Sequence, residues 1–336
     1  MSTSSPKRMK EIRPTDYLRF LTQQKSVRIE GKSILIGNGK ALTKWGPPEG
    51  YDPEAYTVWS FPDRGDWATH NGEYRGNWSP YIPRNLIQRF TSKGEWILDP
   101  MMGGGTTLVE SKLLGRNAIG VDINLNAVIL ARDRLRFRLP QGLSDGRTEI
   151  KTYVGDARRL EKVPSESIDL IATHPPYSSI IRYGDGLIEG DLSEISSFDE
   201  YLGGMRDVAA ECYRVLKKDR CCAILIGDTR KHRHFVPISY SVLREFIDVG
   251  FVLLEDIIKL QHQTTSDRGR WRGNRQGFYK IAHEHLFVFR KPQNASELSK
   301  LRLSRPTAGA TARPQNNSVR DSETESGAVR QEGRGW

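Results

Sequence analysis

Short apolar runs alternate with amphipathic segments along the chain from residue 96 onward. The apolar runs predict β-strands at residues 96–99, 118–122, 150–154, 168–173, 222–226, 252–259 and 281–289. The segments with helical periodicity predict helices at residues 106–114, 124–135, 198–216 and 238–249. This alternation is typical of an α/β protein with a doubly wound, mostly parallel sheet. The last two strands have no helix between them, so we expect a seven-stranded sheet with an antiparallel edge strand.

The two ends of the chain differ from this pattern. Residues 1–15 and 293–336 are rich in Ser, Thr, Gly, Pro, Gln and charged residues. They contain too few apolar groups to offset the entropy of ordering a chain, so we expect both to be disordered. Residues 26–30 and 33–36 predict a hairpin around Gly31. We interpret residues 16–60 as an N-terminal extension and residues 61–292 as the main domain.

The positive net charge of the chain predicts a polyanionic partner. The chain has 51 Lys and Arg against 41 Asp and Glu, a formal net charge of +10. Basic surfaces bind nucleic acids because neutralised phosphates release counterions. The chain lacks both a long apolar run and the apolar centre of a signal peptide, so we expect a soluble cytoplasmic protein without a membrane partner. Its three cysteines are too few for a disulfide framework, and we expect buried, reduced thiols.

A glycine-rich turn after the strand at residues 96–99 is the first candidate site. Residues 103–107 read Gly-Gly-Gly-Thr-Thr and lead into a predicted helix, the place where doubly wound sheets bind ligands. The next strand ends at Asp122, where a carboxylate can accept hydrogen bonds from ribose hydroxyls, and the third ends at Asp156, where one can meet an adenine amino group. The turn matches neither the dinucleotide-binding pattern G-x-G-x-x-G nor the phosphate-binding pattern G-x-x-x-x-G-K-S/T. A flexible turn that binds no ligand is the simpler alternative.

The second candidate site follows the strand at residues 168–173 and reads His174-Pro175-Pro176-Tyr177. The exocyclic amine of a nucleobase is a poor nucleophile because its lone pair is delocalised into the ring, so a site that activates it must accept its hydrogens. The prolines fix the strand exit and can aim carbonyl oxygens inward, and the Tyr177 ring can stack on an extruded base. A neutral His174 supplies one nitrogen acceptor. In the alternative, His174 caps the strand and backbone carbonyls hold the amine.

Together the two motifs resemble those of the amino-methylating DNA methyltransferases, the N6-adenine and N4-cytosine family that uses S-adenosylmethionine. The resemblance covers residues 56–291. The family motif D-P-F-x-G-S-G-T-T matches residues 99–107 with Met101 for Phe and Gly104 for Ser, and the upstream cofactor segment matches residues 76–83. The family tetrapeptide, Asp, Asn or Ser followed by Pro-Pro and an aromatic residue, is matched except at His174.

The resemblance implies a Rossmann-like methyltransferase fold and a site-specific enzyme that flips its target base out of double-stranded DNA. The implied catalytic residues are His174, Pro175, Pro176 and Tyr177. The implied cofactor-binding residues are Trp78, Pro80, Asp99, Pro100, Met101, Gly103, Gly105, Thr106, Thr107, Asp122, Ile123, Asp156 and Ala157.

His174 leaves the target base open. The family associates Asp or Asn with adenine and Ser with cytosine at this position, and we slightly favour N4-cytosine. Two alternatives are a methyltransferase for RNA base amines and a nucleic-acid-binding protein that retains cofactor affinity without chemistry. A restriction-modification role implies a cognate restriction enzyme or a recognition partner.

Two basic segments predict the nucleic-acid interface. Residues 262–280 contain five basic residues against one acid, interleaved with aromatic residues, and a second basic run covers residues 230–234. Such mixtures favour phosphate contacts and base stacking, although two solvated turns are the alternative. The His pairs at 232/234 and 283/285 lack further ligands, so we expect no metal site. The candidate contacts are Arg230, Lys231, Arg233, Arg268, Arg270, Trp271, Arg272 and Arg275.

Overall fold

The computed structural model describes residues 8–29, 31–39, 41–72, 77–140, 148–177, 188–262 and 277–304. The strands in these ranges are β1 (Lys10–Glu11), β2 (Ser26–Ile29), β3 (Lys32–Leu35), β4 (Val58–Trp59), β5 (Trp96–Asp99), β6 (Asn117–Asp122), β7 (Ile150–Val154), β8 (Ile168–Thr173), β9 (Leu216–Ile226), β10 (Thr229–Lys231), β11 (His234–Val236), β12 (Val252–Leu260) and β13 (His283–Arg290). The helices are α1 (Pro14–Gln23), α2 (Tyr81–Phe90), α3 (Thr106–Leu113), α4 (Leu125–Arg134), α5 (Phe198–Val215), α6 (Ile238–Val249) and α7 (Ala295–Lys300).

The predicted α/β fold with a mostly parallel sheet is confirmed. The sheet has nine strands instead of the predicted seven, because the two-residue strands β1 and β4 add one strand at each edge, and its order is β1-β7-β6-β5-β8-β9-β13-β12-β4. The strands β7, β6, β5, β8 and β9 pair in parallel. All six residues of β8 are buried, because a central strand is covered on both faces. Chain order reverses between β5 and β8, and ligands bind at such a switch point, beyond the carboxyl ends of the strands.

β13 is the strand for which an antiparallel place at an edge was predicted. It lies inside the sheet, so the predicted place is wrong. β13 pairs antiparallel with β9 on one side and with β12 on the other. Because α6 carries the chain from β9 past a gap one strand wide to β12, β13 returns into that gap. Six of the eight residues of β13 are buried, as expected of a strand with neighbours on both sides.

The prediction of disordered ends is wrong for the parts of the ends that are described. Lys10–Glu11 pairs antiparallel with β7, and α1 begins four residues later at Pro14. Met9 is only 5% exposed, so single apolar residues anchor a segment whose average composition is polar. At the other end, α7 begins after Asn294, whose side chain accepts a hydrogen bond from Glu297 N. Residues 1–7 and 305–336 lie outside the described residues.

The N-terminal extension joins the main hydrophobic core. The predicted hairpin is present as β2 and β3, with Ser26 opposite Leu35. Side chains of β2 and α1 belong to the same buried cluster as Val128 and Leu130 of α4. β4 pairs in parallel with β12 at one edge of the large sheet. Residues on both sides of the proposed boundary at 60/61 therefore contribute to one core.

The described residues include the three cysteines and all the helices given above. Cys212, Cys221 and Cys222 are free and buried, as predicted. Within the described ranges, no helix combines the length and the apolar character that crossing a membrane requires.

Candidate active site

Asp99, the last residue of β5, links the two predicted motifs. Its Oδ2 accepts a hydrogen bond from Thr107 Oγ1 at 2.5 Å, and its Oδ1 accepts one from Thr173 Oγ1 at 2.7 Å. Thr107 lies in the first turn of α3, directly after the glycine-rich turn. Thr173 ends β8, directly before the tetrapeptide. Because one carboxylate bonds to both, the two motifs lie at the same edge of the sheet.

Close packing explains the glycines of the first motif. Gly105 has φ +80° and precedes α3 as its N-cap residue. A Cβ atom on Gly105 would lie 2.8 Å from Ala131 Cβ of α4, and one on Gly104 would collide with the guanidinium of Arg134. The turn therefore packs directly on α4, and the N-terminal end of α3, with its partial positive charge, lies at the edge that carries Asp99.

Asp122 ends β6 beside the glycine-rich turn. Its Oδ2 accepts a hydrogen bond from Gly103 N at 2.9 Å, and its Oδ1 accepts one from Asn124 N at 2.8 Å. Burial raises the pKa of Asp122 to about 7, and the charges of Asp191 and Asp99 add to this shift. A carboxylate can accept about four hydrogen bonds, so Asp122 retains acceptor capacity for ribose hydroxyls.

Asp156, after the end of β7, binds a side chain that the sequence did not single out. Its Oδ2 accepts a hydrogen bond from Arg158 Nη2 at 2.6 Å, and its Oδ1 accepts one from Arg158 Nε at 3.0 Å. Arg158 Nη2 also donates to Gly190 O at 2.8 Å, which ties a second segment to the same place. A contact between Asp156 and an adenine amino group stays a prediction, and it would share the carboxylate with Arg158.

The upstream cofactor segment contacts both motifs. Thr106 Oγ1 donates to Asn77 Oδ1 at 2.7 Å, which joins this segment to α3. The buried Trp78 stacks with His174, with ring centroids 6.1 Å apart and an interplanar angle of 23°. Pro80 follows and is the N-cap residue of α2. The remaining predicted cofactor residues flank this region, with Ala157 in the buried core, Pro100 buried, and Met101 and Ile123 half-buried.

The tetrapeptide is held by hydrogen bonds to neighbouring elements. His174 Nε2 lies 3.0 Å from Tyr177 Oη, and that hydroxyl donates to Glu284 Oε1 of β13 at 2.6 Å. Tyr201 Oη of α5 donates to Pro176 O at 3.0 Å, so this carbonyl already has a partner. Pro175, which lies between His174 and Pro176 in the sequence, is buried. The structure thus holds His174 and Tyr177 together beside β13.

The basic run at residues 230–234 forms a hairpin of β10 and β11 rather than a loop. Arg230 is half-buried, donates from Nη2 to Tyr279 O at 2.8 Å, and lies 4.7 Å from the centre of the Phe278 ring. Its packing role makes it a poor candidate for phosphate contact. Lys231 and Arg233 are exposed and stay candidates. The other predicted contacts, Arg268, Arg270, Trp271, Arg272 and Arg275, lie outside the described residues.

The described ranges contain no group of three or more His, Cys, Asp or Glu side chains that is placed to hold a metal ion. His283 and His285 do share a face of β13, with ring centroids 5.3 Å apart. His285 Nδ1 lies 3.0 Å from Asp256 Oδ1, so this imidazole is engaged by a neighbouring strand.

The model of one protein family covers most of the chain. This model describes a DNA methylase of the N6/N4 methyltransferase group, and it matches residues 9–133 and 168–332. The chain belongs to this DNA methylase family. A second family model, described as an RMKL-like methyltransferase domain, matches residues 88–187. The first match includes both motifs that Asp99 connects.

Curated relatives of the methylase match shorter stretches. They include the Type II methyltransferase M.BsoBI of Geobacillus stearothermophilus, 47% identical over 58 residues, which are 17% of this chain and 11% of the relative. The DNA adenine methyltransferase YhdJ of Escherichia coli is 44% identical over 72 residues, 21% of this chain and 22% of the relative. The tRNA (guanine(10)-N2)-dimethyltransferase of Methanothermobacter thermautotrophicus is 34% identical over 105 residues, 31% of this chain and 29% of the relative. The chain thus spans less than a third of the length of each of these relatives.

Solved structures with a similar arrangement include methyltransferases. A SAM-dependent methyltransferase from Methanosarcina mazei has a TM-score of 0.42 and 16% identity, over 62% of this chain and 98% of the other. A putative DNA modification methylase from Thermus thermophilus, in complex with S-adenosyl-L-methionine, has a TM-score of 0.30 and 25% identity, over 43% of this chain and 59% of the other. Neither similarity is close enough to carry an argument about this methylase.

Sequence reasoning missed several residues of the site. Thr173, Arg158 and Glu284 each bond to a predicted residue, yet none belongs to a family motif quoted above. Glu284 left a usable signal, since it is a charged residue shortly before the apolar run Leu286–Phe289 of the same strand, and buried charges are rare unless they are paired. Arg158 and Thr173 lie next to predicted residues, but their partners depend on the tertiary fold.

We expect Asp99→Asn to change how the stability of the protein depends on pH. Burial raises the pKa of Asp99 from 3.8 to about 6, although hydrogen bonds from Thr107 and Thr173 oppose the shift. The charged carboxylate therefore costs the folded state about 3 kcal/mol once the pH exceeds 6, and this cost disappears below the unfolded-state pKa near 4. Asparagine stays neutral, so the stability of the variant relative to wild type should rise by roughly this amount between pH 4 and pH 8. Urea denaturation at several pH values tests this, and parallel curves for the two proteins would refute it.

Proposed function

We propose that the protein is an S-adenosylmethionine-dependent DNA methyltransferase that modifies the exocyclic amine of a flipped base. The observation that carries the proposal is the pair of hydrogen bonds that Asp99 accepts from Thr107 and Thr173. These bonds bring the glycine-rich turn and the tetrapeptide to one edge of the sheet. The favoured target is N4 of cytosine, and N6 of adenine is the alternative.

The residues around the glycine-rich turn fit the proposed cofactor. Asp122 offers carboxylate oxygens at the end of β6, and the N-terminal end of α3 follows the turn. Trp78 adds an aromatic wall next to His174. When bound, S-adenosylmethionine supplies an electrophilic methyl group on a sulfonium ion. The chain's own task is to orient the two reactants and to take up a proton.

Positioning and hydrogen-bond acceptors would supply the catalysis. The Tyr177 ring stacks on the extruded base, and the acceptors near it draw electron density towards the amine nitrogen through its hydrogens. Pro176 O already accepts a hydrogen bond from Tyr201 at 3.0 Å, so His174 and Pro175 O are the better acceptors for the amine. None of the three buried cysteines is required for this chemistry, because no covalent enzyme intermediate forms.

Two other functions remain alternatives. The match to the tRNA (guanine(10)-N2)-dimethyltransferase favours methylation of an RNA base amine as the second candidate. The third candidate is a protein that binds nucleic acid without methylating it. It is suggested by His174, which departs from the family tetrapeptide. A recognition partner or a cognate nuclease is part of the proposal for the DNA enzyme.

Transfer of a radiolabelled methyl group separates these functions. The full-length protein is incubated with labelled S-adenosylmethionine and either duplex DNA or tRNA, and the modified nucleosides are separated by chromatography. Label in N4-methylcytosine from DNA is the expected result, and N6-methyladenine identifies the alternative base. Label only in RNA supports the second function. Binding of DNA without any transfer supports the third.

We expect the β10–β11 hairpin to contribute to DNA affinity through Lys231 and Arg233. Exchanging both for glutamine should weaken binding and lower the slope of log affinity against log salt by roughly 2, since each lost phosphate contact removes about 0.9. Binding is measured by fluorescence anisotropy at several salt concentrations. The matched control exchanges Lys93 and Lys218, two exposed lysines. They lie near the amino ends of β5 and β9, whereas the hairpin follows the carboxyl end of β9. Equal slopes for the two double variants would remove the hairpin from the interface.

A further inference from the structure

A chain of hydrogen bonds runs from the tetrapeptide into the sheet. His174 Nε2 lies 3.0 Å from Tyr177 Oη, which donates to Glu284 Oε1 at 2.6 Å. The other carboxylate oxygen, Oε2, accepts a hydrogen bond from Lys259 Nζ at 2.9 Å. Glu284 and Lys259 are opposite each other in the pairing of β13 with β12. The site is therefore connected to an ion pair between the buried Glu284 and the half-buried Lys259, which no motif includes.

Glu284 stays ionised although it is buried. Burial opposes the charge, but the ammonium of Lys259, the charge that His174 carries when protonated, and the hydrogen bonds from Lys259 and Tyr177 outweigh it and hold the pKa of Glu284 below its ordinary value. The space next to it is tight, because a Cβ atom on Gly227 would lie 3.0 Å from Tyr177 Oη and 3.3 Å from Glu284 Cγ. The glycine lets the tyrosine hydroxyl and the carboxylate meet.

The direction of these bonds follows from the charge on Glu284. An ionised carboxylate can only accept, so the hydroxyl of Tyr177 donates its one proton to Glu284. The same hydroxyl can then only accept from His174, which requires a proton on Nε2. A neutral imidazole with a proton on Nε2 has its lone-pair acceptor at Nδ1. Glu284 thus determines which nitrogen of His174 can act as an acceptor.

We propose that Glu284 is a positioning residue that acts through Tyr177 and keeps His174 in the tautomer whose Nδ1 accepts the proton of the target amine. The inference rests on the proposed function. It also explains how a histidine serves at the first position of the tetrapeptide. A histidine in the other tautomer would present an N–H donor at Nδ1, and a donor cannot accept the hydrogen of the amine.

Protons and charges balance with the residues of this chain and the proposed cofactor. The lone pair of the amine nitrogen forms the new N–C bond while the S–C bond breaks and its electron pair stays on sulfur. The nitrogen then carries a positive charge and releases one proton to Nδ1 of His174. The resulting imidazolium keeps its Nε2–H bond to Tyr177, and the negative charge of Glu284 offsets it. Water later takes the proton from His174.

Glu284→Gln tests the inference because it should reverse the chain of bonds. The ammonium of Lys259 has donors only, so the amide oxygen of the new side chain turns towards Lys259 and its NH₂ group towards Tyr177. The Tyr177 hydroxyl then donates to His174 Nε2, and the proton of the imidazole moves to Nδ1. Tyr177→Phe is the second variant, since it keeps the ring and removes the link to Glu284.

The first readout is the tautomer of His174, which requires neither cofactor nor DNA. Nitrogen chemical shifts of ¹⁵N-histidine-labelled protein distinguish the two tautomers, and the signal that disappears in His174→Asn identifies this residue. We expect the Nε2–H form in wild type, the Nδ1–H form in Glu284→Gln, and a mixture in Tyr177→Phe. Glu255→Gln removes an exposed carboxylate on the neighbouring strand β12 and should leave the wild-type signal unchanged. The Nδ1–H form in wild type, or an unchanged tautomer in Glu284→Gln, would overturn the inference.

The second readout is the rate of a single methyl-transfer turnover as a function of pH. Glu284→Gln should be slowed roughly 10²-fold, the lower range for general acid–base catalysis, and its acidic limb should lie about one pH unit lower because His174 loses a negative neighbour. In the His174→Asn background the same exchange should cost less than about threefold, because the two residues no longer act together. Equal costs in both backgrounds would contradict coupling. Absence of transfer by the wild type would instead refute the proposed function, while the tautomer would still report on Glu284.

Discussion

Replacing Glu110 with alanine is expected to lower the free energy of unfolding of the protein by about 3–5 kcal/mol. Glu110 of α3 is fully buried, and its Oε1 accepts hydrogen bonds from Trp67 Nε1 at 2.6 Å and from His70 Nε2 at 2.7 Å. Its Oε2 accepts one from Arg84 Nη1 at 2.9 Å. Burial lowers the pKa of His70, although Glu110 opposes the shift. Without Glu110 the Arg84 guanidinium, whose side chain is only 15% exposed, and two buried ring N–H donors lose their acceptor, which is costly.

Urea denaturation of the full-length chain measures this loss. Glu149→Ala is the matched control, because Glu149 forms a 3.0 Å ion pair with Lys151 at the surface and its side chain is 56% exposed. Exposed pairs contribute about 0–1 kcal/mol, so this variant should remain close to wild type. Similar stabilities of the two variants would show that the Glu110 cluster is not important for the fold. Because Trp67 and His70 lie in the segment that leads to Asn77 and Trp78, Glu110→Ala should also weaken cofactor binding.

The order of helices and strands could be predicted because their patterns are local. α6 begins and ends where its periodicity predicts, and β8 does so as well, since the buried side chains of each are mostly apolar and recur with the period of a helix or form one short run. The position of β13 could not be predicted in the same way. Pairing between distant strands depends on which gap the chain leaves, and hydrophobicity reports burial without naming a neighbour. The available sign in the sequence was the continuous apolar run Leu286–Phe289, which is typical of a strand covered on both faces.

The candidate site was predictable where a motif carries chemistry within a few residues. The aspartate at position 99 and the tetrapeptide are such cases, and the structure brings them together through Thr173. Glu284 and Glu110 follow a different rule. Each is a carboxylate in a buried segment with partners 25 to 107 residues away along the chain, and Lys259 and Tyr177, the two partners of Glu284, mark the limits. Sequence shows that such a charge needs a partner, but only the fold identifies it.

The same argument explains why composition misjudged the N-terminus. The average over residues 1–15 is polar, yet Met9 and Ile12 are buried and Ile12 N donates to Thr152 O at 2.8 Å. Two apolar side chains and an edge strand are enough to order a short segment when a sheet edge is available to pair with it. Composition measures what a segment can bury alone, not what a neighbouring strand offers it.

Tyr177→Ala is expected to reduce single-turnover methyl transfer by roughly 10³-fold and to leave S-adenosylmethionine affinity within about twofold of wild type. Loss of stacking on a base accounts for about 1–3 kcal/mol, or a factor of roughly 5–150. Loss of the hydroxyl adds the effect of releasing His174 from Glu284, roughly another factor of 10 to 10². Tyr177→Phe retains the ring, so it should be more active than Tyr177→Ala and separate the two contributions.

Fluorescence of 2-aminopurine next to the target base detects its extrusion independently of turnover, and calorimetry measures cofactor affinity. Tyr177→Ala should reduce the fraction of extruded base, whereas Tyr177→Phe should preserve it because the stacking surface is intact. Tyr56→Ala, which removes an aromatic side chain that is 83% exposed, should change neither quantity. If Tyr177→Ala extrudes and methylates its target as well as wild type does, Tyr177 does not bind the base. A loss of cofactor affinity equal to the loss of turnover would place Tyr177 in the cofactor site, because stacking on the target base cannot change binding of the methyl donor in the absence of DNA.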